Sequence, residues 1–438
     1  MKNFIIFLLS AVLLLICAMP TAYADGVALP EYVDIGLKYG TASVTSAVAE
    51  AGSMSVTDVY GTSIYDSAIA SSATVTYQNG SIVISQNGNT LVSYAGDIML
   101  TPLGGIISLD GVRYRGSIKF LIKNSALTVV NHVKMDDYLC GVVPKEIGGS
   151  SPAEALKAQA VCARSYTARF IGRHSDSGFD LCTSQHCQVY GGVSAETDAA
   201  NAAVKETSGV IAMYGENIAE LYYFASDGGA TEDVRNVWGS TQYPYLAAVD
   251  DPYETEEATH HTWSVTFTPQ ELTELFSSYG LGEITDISVV NMSEKGAVIK
   301  LEVVGTLGSK IFERESCRTV FGGKIYSQAY TVTKNYADAS GAPSAISSEG
   351  VATLPSTVYV IGADGTVVNK IEDMVVISSG GESSFDTSSK VVSYTINGRG
   401  YGHLVGMSQW GAIAMAKQGF TYEQILSHYY TGITIVKK

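Results

Sequence analysis

"YRGSIKFLIKNSALTVVNHVKMDDYLCGVVPKEIGGSSPAEALKAQAVCARSYTAR", residues 114–169, changes its grammar halfway along. Up to Val133 it reads as two β-patterned runs on either side of Asn124-Ser125, which predicts a pair of strands. From Ser151 the spacing turns helical. Ser151, Pro152 and Glu154 form the pattern of a capping box with proline at the first helical position. Leu156, Ala160 and Ala163 share one face, and Ala153, Ala155 and Ala158 keep the helix slim to its expected end near Ile171-Gly172. Strands that hand over to an Ala-rich helix predict an α+β fold: mixed β-sheets, a central helix and, beside them, a long substrate groove.

Upstream, "TVTYQNGSIVISQNGNTLVSY" gives three short strands joined at Asn79-Gly80 and Asn87-Gly88, because both residues tolerate positive φ. Residues 25 to about 72 show no clear period. A β-rich amino-terminal portion is therefore expected over 25–133 and a core portion over 134–336. Within that core Thr268, Pro269 and Glu271 repeat the capping grammar. Residues 337–390, rich in Ser, Gly, Ala and Asp, read as an insertion carrying one hairpin turned at Asp364-Gly365. Residues 391–438 return to the core, with Thr421 and Gln424 as a further capping box.

The first residues, "MKNFIIFLLSAVLLLICAMPTAYADG", have a basic start, an apolar middle and "AYA" at Ala22–Ala24. They predict an export signal cut after Ala24, or an uncleaved anchor, over 1–24. Either way the protein is expected outside the cytoplasm. Its formal net charge is −16. Such a balance repels nucleic acid and anionic lipid, whereas 27 tyrosines offer flat rings suited to a neutral sugar polymer.

Four stretches could carry chemistry. In "VVPKEIGG", Pro144 and Gly148-Gly149 hold Glu146 in a tight connection after an apolar run. A carboxylate shielded from water has a raised pKa and can protonate a glycosidic oxygen; a solvated turn carboxylate is the other reading. In "HSDSGFDLCTSQHCQVYGG", His174, Cys182, His186 and Cys187 suit tetrahedral zinc. A Cys182–Cys187 disulfide or free thiols fit the spacing too, although five mature cysteines cannot all pair internally. Gln188 and Tyr190 could line a groove. In "YYFASDGGATED", Ser226 heads a polar loop suited to sugar hydroxyls. In "NGRGYGHLVGMSQWGA", His403 and Gln409 could form a groove wall; the loop lacks a Walker lysine, so nucleotide is not expected. No G-x-S-x-G elbow is present, and Cys162 reads as helix core.

Taken in order, the opening stretch, "CQVYGG", "FASDGGATEDV", "PYLAAVDDPY" and "GRGYGHLVGMSQWGAIAMAKQGFTYEQILSHYYTG" resemble the stage II sporulation protein D (SpoIID/LytB) family from about residue 90 to the end. The resemblance implies a peptidoglycan lytic transglycosylase that cuts the MurNAc–GlcNAc bond of strands stripped of their peptides and leaves 1,6-anhydroMurNAc ends. It places the catalytic acid and base at Glu146, with Arg164 nearby either orienting it or solvated on the helix. It implies a structural zinc at Cys182, His186 and Cys187, with His174 as the less certain ligand. The expected partner is the glycan strand. The family's other branch implies a non-catalytic enhancer of a cell-wall amidase, and a wall-binding module is a third reading.

Overall fold

The computed structural model describes residues 28–336 and 391–438, together with six short strands between 344 and 384. The expected export signal or anchor, 1–24, lies outside the described residues. Two compact units emerge: residues 1–221 with 420–427 and 432–438, and residues 222–419 with 428–431.

The first unit is built on an eleven-stranded sheet. Its strands are β1 (Tyr32–Lys38), β2 (Ser46–Asp58), β3 (Ser63–Gln78), β4 (Ser81–Gln86), β5 (Asn89–Tyr94), β6 (Ile98–Pro102), β7 (Ile106–Leu109), β8 (Val112–Arg115), β9 (Ser117–Lys123), β10 (Ala126–Lys134) and the short β11 (Leu181–Cys182). The main path runs β11-β1-β10-β9-β6-β2-β3-β4-β5, with β7 and β8 branching from β2. The expected hairpins form at Asn79-Gly80, Asn87-Gly88 and Asn124-Ser125, and all six residues adopt positive φ. Strands β9 and β10 lie mid-sheet and are buried on both faces, so their apolar runs are nearly continuous. Ile118, Phe120, Leu127 and Val129 anchor the core there.

Three helices follow: α1 (Met135–Val143), α2 (Ala153–Arg169) and α3 (Asp198–Glu206). The alanines of α2 let it sink between its neighbours; nearly every side chain from Ala155 to Thr167 is buried. Strand β12 (Val210–Tyr214) pairs with Thr434–Lys437. The capping box expected at Ser151 does not form. Pro152 occupies the cap position without a side-chain bond, and the Ser151 hydroxyl donates to the Ile147 carbonyl instead (2.7 Å). Glu154 is drawn away to Lys157 and to the Tyr422 amide. The box at Thr268–Glu271 does form, as does the reciprocal pair at Thr421 and Gln424.

The second unit has a three-stranded antiparallel sheet, Thr262–Phe267, Val391–Arg399 and Tyr330–Tyr336, with Val391–Arg399 in the middle. A second sheet (Ile284–Met292, Val298–Gly305, Gly308–Glu313) and the capped helix Pro269–Leu275 close a core around Trp263, Phe276, Phe321 and Ile396. The short pair Tyr223–Phe224 and Met407–Ser408 leads into helix Gln409–Lys417, which Ser408 caps. Between 344 and 384 the short strands form three antiparallel pairs, one of them Val360–Ile361 with Val367–Val368; the expected turn at Asp364-Gly365 lies outside the described residues. Among the described residues no helix is long and apolar enough to cross a membrane.

Candidate functional site

Helix α1 does not stop cleanly. Pro144 cannot donate a backbone hydrogen bond, and Pro144–Gly148 widens into a single π-type turn. Such turns often mark functional sites. Gly148 then takes φ +86°, a conformation that side-chain-bearing residues avoid. The turn holds Glu146 half-buried. Its Oε1 accepts one hydrogen bond, from the Val189 amide at 2.8 Å. Burial raises the carboxyl above its ordinary range, and the one amide only partly offsets this. No neighbouring charge, positive or negative, contributes to the shift. The result is a shielded carboxyl inclined to keep its proton.

Two residues before Val189, the chain delivers Cys187 to a second cluster. His174, Cys182, His186 and Cys187 bring one donor atom each within 4.8 Å of one another. The Sγ···N separations are 3.4 Å (Cys187–His174), 3.6 Å (Cys187–His186) and 3.7 Å (Cys182–His186). A tetrahedral zinc with ordinary Zn–S and Zn–N bonds sets sulfur and nitrogen about 3.6 Å apart. The donor set therefore fits zinc in both chemistry and spacing. The 183–187 segment is a turn rather than a strand, which lets adjacent His186 and Cys187 point the same way. Cys182 and Cys187 are not joined in a disulfide. Burial pushes the Cys182 thiol up, but hydrogen bonds involving Ser184, His186 and Cys187 outweigh it and leave Cys182 at about 6.

Other singled-out residues are internal struts. Arg164 is buried, not solvated: its guanidinium binds Asp136 (2.9 Å) and the carbonyls of Val204 and Val210. Gln188 is buried and accepts from Thr167 (2.8 Å) and Tyr138 (3.3 Å). Tyr190 is buried with its hydroxyl on Asn131 (2.9 Å). Each is tied into the interior and has little surface to offer a ligand.

In the second unit, Ser226 is fully buried and donates to Glu254 (2.6 Å). His403 sits among the rings of Tyr222, Phe224 and Trp238 and accepts from the Val405 amide at Nδ1 (3.1 Å). Loss of water, then Arg318, pulls this imidazole down to about 3, so it stays neutral. Gln409 is buried at the start of its helix.

Sequence reasoning missed the hub of that unit, Glu254. This buried carboxylate accepts five hydrogen bonds: Ser226 Oγ, Gly228 N and His261 Nδ1 on one oxygen, Asp227 N and Ser408 Oγ on the other. Burial would raise it, yet these donors hold it below the ordinary carboxylate range. Asp227 and Asp251 lie within 4.8 Å of it. Asp251 already accepts from Tyr253 N, Glu254 N and the Tyr429 hydroxyl. With Glu254 saturated, the trio is poorly suited to an ion. Asp227 Oδ2 is buried without a hydrogen-bond partner, and burial plus the charges of Asp251 and Glu254 push its carboxyl well up. A proton on Asp227 satisfies the group. No motif around Glu254 marks it in the sequence; its partners come from three separate segments, at 226–228, 261 and 408.

A shielded lone glutamate beside a cysteine–histidine cluster defines the class of site. Comparison with known proteins agrees with the fold and motifs. Residues 123–214 match the stage II sporulation protein (SpoIID) family model, and residues 252–350 match a domain of unknown function. The chain is 29% identical to the amidase enhancer of Bacillus subtilis over 75% of its own length and 45% of that protein. It is 26% identical to stage II sporulation protein D of the same organism, covering 70% of this chain and 75% of the relative. An uncharacterized protein of Brachyspira hyodysenteriae is 28% identical over 75% and 74%. The domain match over residues 123–214 and these relatives support the SpoIID family for this chain.

Proposed function

We propose that this protein is an extracytoplasmic peptidoglycan lytic transglycosylase acting in sporulation or cell-wall remodelling, with Glu146 as its acid and base. The observation that carries the reading is Glu146's setting: a shielded carboxyl in a π-type turn, holding one amide hydrogen bond and no ion pair among the described residues. A hydrolytic glycosidase needs two carboxylates, one to protonate the leaving oxygen and one to activate water or attack carbon. A lytic transglycosylase needs one. Glu146 protonates the oxygen bridging MurNAc and GlcNAc, and the C1–O bond breaks as oxocarbenium character develops. The carboxylate then takes the proton of the sugar's own C6 hydroxyl, whose oxygen closes on C1. The products are a 1,6-anhydroMurNAc end and a free GlcNAc hydroxyl, and Glu146 is again protonated.

His174, Cys182, His186 and Cys187 would hold a structural zinc, which ties the 174–187 segment together. Val189, immediately beyond it, then presents its N–H to Glu146 from a fixed backbone.

A second reading is favoured by the similarity to the amidase enhancer: the protein binds glycan and stimulates a cell-wall amidase without cutting. Denuded glycan strands incubated with the protein and analysed by mass separate the two. The enzymatic reading expects fragments lighter by one water than hydrolysis products, absent with Glu146→Gln. The enhancer reading expects no fragments, and amidase stimulation that survives Glu146→Gln.

A further inference from the structure

The turn that holds Glu146 also carries a cation, Lys145, one residue earlier. Glu146 is half-buried, whereas Lys145 is exposed. Both side chains come to rest on the same stretch of chain, residues 189–191. Glu146 takes the Val189 amide. Two residues on, the Lys145 stem lies against Gly191: a Cβ there would stand 3.3 Å from Lys145 Cγ and Cδ and 2.6 Å from Ala195 Cβ. Glycine at 191 thus leaves room for the stem. The stretch is itself fixed, because Gly191 N donates to Gly141 O (3.1 Å) on helix α1, and Gly141 has no side chain to hold the Tyr190 ring away. Carboxyl and lysine stem therefore rest two residues apart on one held backbone, at most about 7 Å of chain.

The Lys145 ammonium has no ion pair or hydrogen bond among the described residues. It does not act on Glu146 either, whose carboxyl is moved only by burial and by the Val189 amide. Glu196, farther along the same segment, is taken by Arg115 through two hydrogen bonds of 2.7 Å, and Asp137 lies 3.8 Å from that guanidinium. No acid is left to neutralise Lys145. In a chain of formal net charge −16, an uncompensated ammonium beside a shielded carboxyl is a local attractor for an anion. Packing of the stem along the backbone confines that charge to the neighbourhood of Glu146.

We propose that Lys145 is a specificity residue of the Glu146 site: its ammonium pairs with the lactyl carboxylate of the MurNAc ring whose C1–O bond is cut. The proposal rests on the reading of Glu146 as acid and base, and adds which strands that site accepts. The lactyl ether leaves ring carbon C3, two bonds from C1, so a ring with its bridging oxygen at Glu146 carries this group close by. On a strand stripped of its peptides the lactyl group ends in a free carboxylate, which the ammonium can meet in a charge-assisted hydrogen bond. Where the stem peptide remains, the same carbon is an uncharged amide carbonyl. Lys145 thus reads whether the peptide has been removed. GlcNAc has no carboxylate, so the lysine also selects which of the two alternating sugars presents its C1 to Glu146.

The test uses the full chain carrying Glu146→Gln, so that nothing is cleaved. Its probes are soluble denuded glycan strands and the same strands coupled by carbodiimide to methylamine, which turns each lactyl carboxylate into a neutral amide. Calorimetric titration is expected to show the carboxylate strands binding at least about threefold more tightly, the scale of a partly exposed ion pair. Lys145→Met, which keeps the stem, should bring the two affinities to within about 1.5-fold. Lys145→Arg, which keeps the charge, should retain the preference, and raising salt from about 50 to about 500 mM should shrink it. Melting midpoints of the variants check that the fold is kept. Equal binding of both probes by the parent, binding of neither, or a preference that survives Lys145→Met overturns the proposal. Wild-type cleavage of denuded strands is scored separately. Cleavage with no Lys145-dependent preference refutes the role of the lysine alone; a Lys145-dependent preference without cleavage refutes the enzymatic reading and upholds the lysine as reader of the carboxylate.

Discussion

Two glutamates in this chain are both withdrawn from water, and their chemistry diverges because of what surrounds them. Glu146 receives one amide hydrogen bond and no charge, and is pushed toward the protonated form. Glu254 receives five donors from three segments and is held as an anion. Burial alone does not make an acid catalyst; burial without compensating donors does. The first arrangement shifts its carboxyl toward the protonated form. The second uses a fixed negative charge to pull a serine–glycine loop, a histidine and a helix cap together.

Removing each carboxylate should therefore fail in a different way. Glu146→Gln is expected to lower glycan cleavage by about 10²–10⁴-fold while the melting curve stays put, measured by product mass and calorimetry. Glu254→Gln should do the reverse. An uncharged amide leaves several buried donors poorly satisfied, and we expect the second unit to lose roughly 3 kcal/mol of stability, read from chemical denaturation followed by tryptophan fluorescence. Were Glu254→Gln to melt like the parent, the hub would not hold its unit together.

Cys187→Ser sharpens the contrast from the Glu146 side. Elemental analysis should find about one zinc per chain in the parent and much less in the variant. Loss of the metal should cost about 2 kcal/mol and lower the midpoint by roughly 4–8 °C. It should also speed exchange of the Val189 amide, since that amide follows the ligand by two residues. A metal-free parent would remove the zinc proposal and leave the Glu146 turn as described.

The smallest effect concerns Asp227, whose folded pKa is raised by burial and by Asp251 and Glu254. Its contribution to stability is complete below the unfolded pKa of about 4 and declines as pH rises through the folded value, because the unfolded chain ionises first. Asp227→Asn mimics the protonated acid and is spared that decline. The variant should match the wild type near pH 4 and gain about 1 kcal/mol by pH 7. A flat difference between the two pH values would place the proton elsewhere.

The handover from β10 to α2 was legible because both periodicities are clean there, as were the Asn-Gly hairpins, which depend on two residues each. Strands β2 and β3 were not. Their pairing shifts register at Ala51/Ser53, Met54/Val56 and Val56/Thr57, and each shift breaks the period of two that marks a strand. Ser151 misled because its hydroxyl had a nearer partner in the Ile147 carbonyl. The cluster of His174, Cys182, His186 and Cys187 could be picked out because its members lie close in sequence, and Glu146 because a proline and two glycines bracket it. Arg164, Gln188 and His403 could not be assigned, since whether a polar side chain faces a ligand or the interior is decided by distant packing. For Arg164 the deciding partners are Asp136, Val204 and Val210.

The titration of the Glu146 carboxyl itself tests the central claim most directly. Protein labelled with ¹³C at the glutamate δ-carbon, compared with Glu146→Gln to assign the missing signal, gives that pKa by NMR. A midpoint above 4.5, the ordinary value for a glutamate, with Glu254 titrating below it, is the predicted result. A Glu146 midpoint at or below the ordinary value would contradict the account, because a carboxyl already ionised has no proton to give the glycosidic oxygen.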